Sequence, residues 1–379
     1  MSSNPVARTQ QRALDLGPSS RCPIDPRRMI HGTAQPDFSR NGHTRVMKRT
    51  TVVIPTLLIS LIAVGAARRH RRLSTVAREL RHPTLYVPMS MRTDTALRAG
   101  RRMFAAAPIA PAVPGVHERD ERVPADADRP AVRVMVYEPE QRTRPNGALV
   151  WIHGGGMVMG AARQARPLCS RLAAELGIVV ISVDYRLAPE HPFPAALDDC
   201  YATLEWIHRH AEALGVDTAK VAIGGDSAGG GLAACLAQMA HDSGGPPVCF
   251  QLLEYPMLDD RTALRIGHDA IVWSNASNRY AWESYLGGPL RQYEGRMYAA
   301  ASRRVDLAGL PPAWIGIGDI DLFHDEAIEY GNRLRSAGVA CDTYVVPGMY
   351  HAAEQFVPES ATMKAFVARM ISALAAAIT

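Results

Sequence analysis

The sequence predicts an α/β architecture: a mostly parallel central sheet with helices covering both faces. Two observations carry the prediction. Short runs rich in Val, Ile, Leu and Ala recur at residues 132–137, 148–152, 178–183, 221–224, 248–253, 313–318 and 343–346. Amphipathic stretches of helical length fall between many of them, at 163–176, 195–213, 228–241 and 325–337, and a last one at 360–376 closes the chain. Strands that are apolar on both faces and alternate with helices belong to a parallel sheet buried on both sides. Apolar residues make up 47% of the 379 and charged residues 21%, so a core large enough for such a domain is available.

The first third of the chain has a different character. Residues 1–50 are rich in Arg, Pro, Ser and Gly and have no hydrophobic period, so they read as a disordered extension, with Met47 as an alternative start. Lys48 and Arg49 precede an apolar run at 51–67, and Arg68, Arg69, Arg71 and Arg72 follow it. Three readings compete for this run: a membrane anchor at the short end of spanning length, a signal peptide, and a helix packed on the protein itself. The dense Arg cluster disfavours export and favours a cytoplasmic or membrane-associated protein, with membrane contact through 51–72. Residues 68–110 read as helical until Pro108, Pro111 and Pro114 break the pattern. The formal charge of +5 lies mostly in this N-terminal part. No zinc-finger spacing and no aromatic-basic interleaving accompany it, so nucleic acid is not the expected partner. The six cysteines form no CxxC pair. Their scatter fits free thiols, and the apolar surroundings of Cys169, Cys235 and Cys249 fit burial.

In sheets of this kind reactive groups sit on loops at the carboxyl ends of the strands. The run 220–224 reads as a strand, and Gly225-Asp226-Ser227-Ala228-Gly229 follows it, then a helix of small residues. This is G-x-S-x-G in its required context of strand, sharp turn and helix, with Ser227 as candidate nucleophile. Gly225 and Gly229 leave room for close backbone approach. The helix N-terminus adds positive partial charge where an oxyanion would form. A second strand ends at Trp151-Ile152 and runs into His153-Gly154-Gly155-Gly156. Three glycines there leave backbone N–H groups uncovered. The expected oxyanion donors are Gly155, Gly156 and Ala228, with His153, Gly154, Gly225, Asp226 and Gly229 supporting the two loops.

A serine needs a base to act as nucleophile. His153 precedes Ser227 and lies inside the glycine loop, so holding that loop is its expected task. Downstream, His351 follows the strand 343–346 and the turn Pro347-Gly348, directly before the last helix. His241 ends a helix, His268 lies in an insertion and His324 starts a helix, so His351 is the expected base. For the orienting acid, position alone leaves Asp319, Asp321 and Asp325 open, all near the end of strand 313–318. Asp325 and Glu326 suit a first helical turn, and Asp319 suits a turn cap. Glu254 is a lone charge in an apolar run and receives no role.

Together these residues resemble the hormone-sensitive-lipase-like family of bacterial esterases and lipases, which have the α/β-hydrolase fold. The matching pieces are 153–156, the run Asp184-Tyr185-Arg186-Leu187-Ala188-Pro189-Glu190-His191-Pro192-Phe193-Pro194-Ala195-Ala196, then 224–230, 255–260 and 321–326. The resemblance covers about residues 75–379. It implies Asp321 as the triad acid beside Ser227 and His351. It also implies a helical cap, built here from about 73–110 and 261–298 over a hydrolase domain spanning 73–379. Trp273, Trp282 and Tyr285 would line or cover the pocket. The run 184–196 is expected to brace the oxyanion loop and cap. Three positions depart from the family's commonest pattern: Gly231 for Asn, Leu322 for Pro and Ala352 for Gly.

The expected activity is carboxylic ester hydrolysis through an acyl-enzyme, on a small-molecule acyl ester and with no metal or cofactor. Rival readings on the same residues are amide, lactone or carbamate hydrolysis and acyl transfer to an alcohol. A non-catalytic pocket-binding or membrane-tethered protein is a further rival, and homodimerisation through a sheet edge is left open.

Overall fold

A computed structural model of the chain describes residues 69–87, 90–126, 129–265, 270–290 and 296–378. The extension 1–50, the apolar run 51–67, Arg68, Cys22 and His268 lie outside the described residues.

Eight strands form one sheet: β1 Val116–Val123, β2 Val132–Pro139, β3 Asn146–Ile152, β4 Val179–Asp184, β5 Val216–Asp226, β6 Phe250–Glu254, β7 Ala313–Gly318 and β8 Cys341–Val346. Their order across the sheet is β1-β2-β4-β3-β5-β6-β7-β8. The first two pairings, β1 with β2 and β2 with β4, are antiparallel, and all the others are parallel. The strands β3, β4, β6 and β7 are apolar on both faces because helices cover both, and almost every residue in them is buried, as are 221–225 of β5.

Seven α-helices of eleven residues or more occur among the described residues: α1 Asp94–Ala106, α2 Arg166–Leu176, α3 Ala195–Arg209, α4 Ala228–Asp242, α5 Asn275–Leu286, α6 His324–Ser336 and α7 Ala361–Ile378. Their ends follow local chemistry. Thr93 caps α1 by accepting from Ala96 N, and Ser274 caps α5 by accepting from Ser277 N. Gly177 and Gly287 close α2 and α5 in the left-handed conformation. Among the described residues, by length and composition α7 alone would pass for a membrane span, yet its Met363, Phe366, Met370, Ile371, Leu374 and Ile378 are buried in the protein.

The structure corrects two sequence expectations. Strand β1 was not expected, because Val-His-Glu-Arg-Asp-Glu-Arg-Val has no apolar run. It is an edge strand held by charge: Arg119 pairs with Glu138 of β2 at 2.8 Å, Glu118 with Arg166 of α2 at 2.8 Å, and Asp120 with Arg133. Residues 68–110 are also not one helix. Short 3-10 turns at Arg78–Leu80 and Pro83–Tyr86 precede α1, because Pro83 has no N–H to continue a helix and suits the first position of a new turn. The thiols of Cys169 and Cys235 are free and buried as expected, Cys200 is free and buried as well, and Cys249, expected to be buried, is only partly covered.

Candidate active site

The carboxyl ends of β3, β5, β6, β7 and β8 carry the residues singled out in the sequence. Strand β5 ends at Asp226 and α4 begins at Ala228, so a single residue, Ser227, makes the turn. It does so at φ 54° and ψ −118°, a conformation that L-residues rarely adopt. Three bonds hold it there: Ser227 N donates to Glu254 O at 2.8 Å, and Ser227 O accepts from Gly231 N at 3.0 Å and Met257 N at 2.9 Å. The turn also demands bare backbone beside it. A Cβ on Gly225 would lie 2.3 Å from Ile152 O, and one on Gly229 would lie 1.9 Å from the same oxygen. The elbow and the end of β3 therefore pack backbone on backbone.

His351 Nε2 lies 2.9 Å from Ser227 Oγ, and His351 Nδ1 lies 2.8 Å from Asp321 Oδ2. All three residues are buried. The other carboxylate oxygen of Asp321 accepts from Phe323 N at 2.9 Å, which fixes the acid. Two aromatic rings flank the imidazole edge-on, Tyr255 at 4.9 Å and Phe323 at 5.2 Å. Burial alone would lower the proton affinity of His351. The charge and hydrogen bond of Asp321, with Glu354 and Asp226 nearby, outweigh burial and raise its pKa above the ordinary histidine value.

Of the acids that position alone left open, one reaches the imidazole, Asp321. Asp319 Oδ1 instead accepts from Gly348 N at 2.6 Å and ties down the turn that leads to His351. Asp325 pairs with Arg265 at 2.9 Å. Glu326 lies in the first turn of α6 as expected, but it is buried and accepts from Leu258 N at 2.6 Å, Asp259 N at 3.2 Å and Thr262 Oγ1. It holds the segment after β6 rather than serving the helix dipole.

The glycine loop after β3 takes the shape its residues allow. Gly155 at φ 109° and Gly156 at φ 64° occupy conformations open chiefly to glycine. Their N–H groups donate to no acceptor among the described residues. Ala228 N is the first of α4, where an N–H has no intrahelical acceptor. Asp226 Oδ1 braces the loop by accepting from Gly154 N at 3.0 Å, and burial raises its pKa to about 6. His153 stacks on Tyr185 with ring centroids 4.2 Å apart, and its Nδ1 lies 2.8 Å from Gly154 O. Burial lowers its pKa, so the ring is neutral at pH 7.

The run 184–196 braces the site. Tyr185 Oη donates to His153 O at 2.9 Å, Ala188 N donates to Met157 O at 2.9 Å, and Arg186 pairs with buried Asp199 at 2.8 Å. Arg101 of α1 reaches into the same region, donating to Val158 O and Ala188 O at 2.7 Å and pairing with Glu190. Segments 90–106 and 270–286 also meet: Met91 N donates to Ser277 Oγ at 2.9 Å and Tyr280 Oη to Asp94 Oδ1 at 2.7 Å. From the second segment the Trp273 indole lies against the glycine loop, 2.6 Å from where a Gly156 Cβ would be. Trp282 and Tyr285 are buried, Tyr285 edge-on to Phe193 at 5.7 Å.

A family model described as alpha/beta hydrolase fold matches residues 149–355, more than half of the chain. The chain belongs to that family. Among curated relatives, esterase LipI of Mycobacterium tuberculosis is 34% identical over 270 residues, 70% of this chain and 83% of the relative. Carboxylesterase NlhH of the same species is 37% identical over 231 residues, 59% of this chain and 72% of the relative. A solved structure titled bacterial heroin esterase superposes with a TM-score of 0.75 at 36% identity, covering 81% of this chain and 99% of that one. The expected fold and the expected resemblance both hold, and the protein is a hydrolase of the family to which these esterases belong.

The sequence reading left Glu254 without a role and missed Glu354 beside the base. Glu254 is buried at 2% exposure, and Glu354 accepts from Tyr255 Oη at 2.5 Å. A charge placed three residues after the candidate base, and another two residues before Pro256, were the available signals.

Proposed function

We propose that the protein hydrolyses carboxylic esters of small molecules by two-step acyl transfer, with Ser227 as nucleophile, His351 as general base and Asp321 as orienting acid. The observation that carries this reading is the unbroken hydrogen-bonded chain from Asp321 through His351 to Ser227 at 2.8 and 2.9 Å. His351 takes the Ser227 proton as Oγ attacks the ester carbonyl, and the carbonyl oxygen becomes an oxyanion. The N–H groups of Gly155, Gly156 and Ala228 receive it, each worth about 2.7–4 kcal/mol in the transition state. His351 then protonates the leaving alcohol, and the C–O bond breaks to leave the acyl-enzyme. Water repeats the sequence, giving its proton to His351 as it attacks, and the acid leaves as Ser227 recovers its proton. Asp321 holds the Nδ1–H tautomer and stabilises the imidazolium formed at each attack.

Segments 73–110 and 261–298 serve in this reading as the cap that shapes the acyl site, a role supported by the contact of Trp273 with Gly156. The basic-apolar-basic pattern of 48–72 supports attachment to a membrane surface. Fractionation of the full chain against a chain starting at Arg69 checks it, and equal recovery in the soluble fraction counts against attachment.

Hydrolysis of p-nitrophenyl esters from acetate to palmitate, wild type against Ser227→Ala, tests the main reading. Activity that disappears in the variant is expected. A folded wild type inactive on every ester, or a variant with full activity, overturns it and brings forward amides, lactones or a binding role.

A further inference from the structure

Behind the candidate base lies a second set of acids that the proposed reaction does not use. Glu254 ends β6, and its backbone oxygen holds Ser227 N at 2.8 Å. Its side chain is buried at 2% exposure, and Oε1 is enclosed with no hydrogen-bond partner. Glu354 comes from the short helix Ala353–Phe356 that starts two residues after His351. Its Oε1 accepts from Tyr255 Oη at 2.5 Å, while its Oε2 is also enclosed and unpartnered. Tyr255 is fully buried, and its ring lies 4.9 Å from the imidazole. Two neighbouring carboxyls, each with an enclosed oxygen that lacks a donor, cannot both be ionised cheaply, because like charges in a dry site repel and each orphan acceptor costs desolvation. Protonating one of the two removes the repulsion, and the pair then titrates as coupled groups.

We propose that Glu254 and Glu354 together hold one proton and thereby govern the basicity of His351, with Glu354 acting as a positioning residue through Tyr255. The inference rests on the triad reading above. The groups that face the imidazole are Asp321 after β7, Asp226 and Ser227 at the elbow, Tyr255 and Phe323 as flanking rings, and Glu354. Those that face the pair are Asp226, Tyr255, His351 and the buried hydroxyl of Tyr350. Burial pushes Glu354 up to about 7, and burial with the charges of Glu354 and Asp226 holds Glu254 well above the usual carboxylate range. Glu354 therefore changes charge near neutrality, the range in which a general base operates.

Two isosteric variants separate this from a structural role. Glu354→Gln keeps an acceptor for Tyr255 Oη but removes a negative charge beside His351. The acid limb of kcat/KM, and of Ser227 phosphonylation by a fluorophosphonate, should move down by roughly half a unit to one unit, less than the 1–3 units of directly paired charges. Glu254→Gln removes the competing acid, lets Glu354 ionise at lower pH, and should move both limbs up. Shifts of opposite sign support the proposal. Limbs that stay put or move the same way overturn it, since a structural role would alter rate or Tm and leave the sign unpatterned. Should either variant fail to fold, infrared titration of wild type carrying isotope-labelled glutamate decides. A buried protonated glutamate carbonyl persisting at pH 6 and lost above pH 8 supports the pair, and complete ionisation at pH 6 overturns it. That measurement needs no turnover, so it fails separately from the ester-hydrolase reading, whose failure is a wild type that neither turns over nor labels.

Discussion

Gly156→Ala places one methyl group where the glycine loop, the cap segment and the expected oxyanion meet. Two costs can be worked from the structure. The position has φ 64°, where an L-residue costs about 1–2 kcal/mol. The new Cβ would also lie 2.6 Å from two carbons of the Trp273 indole and 3.0 Å from Ala281 Cβ. Ordinary carbon contact begins at about 3.5 Å, so about 0.9 Å must be found by moving the indole or the loop. The indole is held only by a long 3.4 Å bond from Nε1 to Asn278 Oδ1, but it is packed in a buried shell, and Ala281 closes the other side. The loop therefore shares the displacement, and the N–H groups of Gly155 and Gly156 turn away from the oxyanion position. Loss of one such donor costs about 10²–10³ in rate. The expected result is a kcat/KM on p-nitrophenyl acetate lower by that factor, mostly in kcat, with Tm down by about 5 °C. Adding Trp273→Ala removes the indole clash but keeps the backbone strain and the 3.0 Å approach to Ala281, and should restore part of the rate. A Gly156→Ala enzyme within threefold of wild type refutes the assignment of this loop.

Three further outcomes follow from the same geometry. Asp321→Asn should lower kcat/KM by about 10⁴ at nearly unchanged Tm, because the wrong His351 tautomer is then favoured; Asp319→Asn, which touches only the Gly348 turn, should cost far less, and equal losses in a side-by-side assay would reverse the choice of acid. Arg101→Met removes the donors to Val158 O and Ala188 O together with the pairing to Glu190, and should raise KM several-fold with a smaller change in kcat, checked by saturation kinetics. Thermal stability should rise as pH falls from 8 toward the unfolded carboxyl range near about 4. Asp226, Glu254, Glu326, Glu354 and His351 all have raised pKa values, so the stability each contributes is present below its unfolded value and lost as pH rises through the folded one. His153 has the opposite sign, its contribution being lost as pH falls below the ordinary histidine value. Calorimetry showing a maximum at pH 8 or above contradicts the account.

Much of the site was legible because backbone demands were written in small residues. At Gly225, Gly229 and Gly155 backbone meets backbone, while Gly154 faces Asp226 and Gly156 faces the Trp273 indole. The parallel strands were legible because burial on both faces forces unbroken apolar runs. What escaped was set by tertiary partners. The charges of β1 make sense only beside Glu138, Arg133 and Arg166. Glu326 looked like a helix-dipole residue until three donors from the segment after β6 converged on it. Asp319 and Asp321 are two residues apart, and nothing local tells which one turns toward His351.

The departures from the family pattern gain a physical meaning at one position. Ala352, where glycine is frequent, sits at φ 59° and ψ 36° directly after the base. An alanine there costs about 1–2 kcal/mol that a glycine would not. The strain is held by its surroundings: Gln355 N donates to Ala352 O at 3.1 Å, and Ala353 is fully buried. Tyr255, on the facing strand end, is strained as well, at φ 35°, and its N donates to Gly316 O at 2.7 Å. These two strained residues flank His351, and the bond from Tyr255 Oη to Glu354 Oε1 joins the segments that carry them. A bond between two over-determined turns defines one position for the imidazole more narrowly than either turn could alone. By this argument Ala352→Gly relieves backbone strain but loosens the base, so it should leave Tm nearly unchanged while lowering kcat. A variant with wild-type kcat would mean that the strained turn positions nothing.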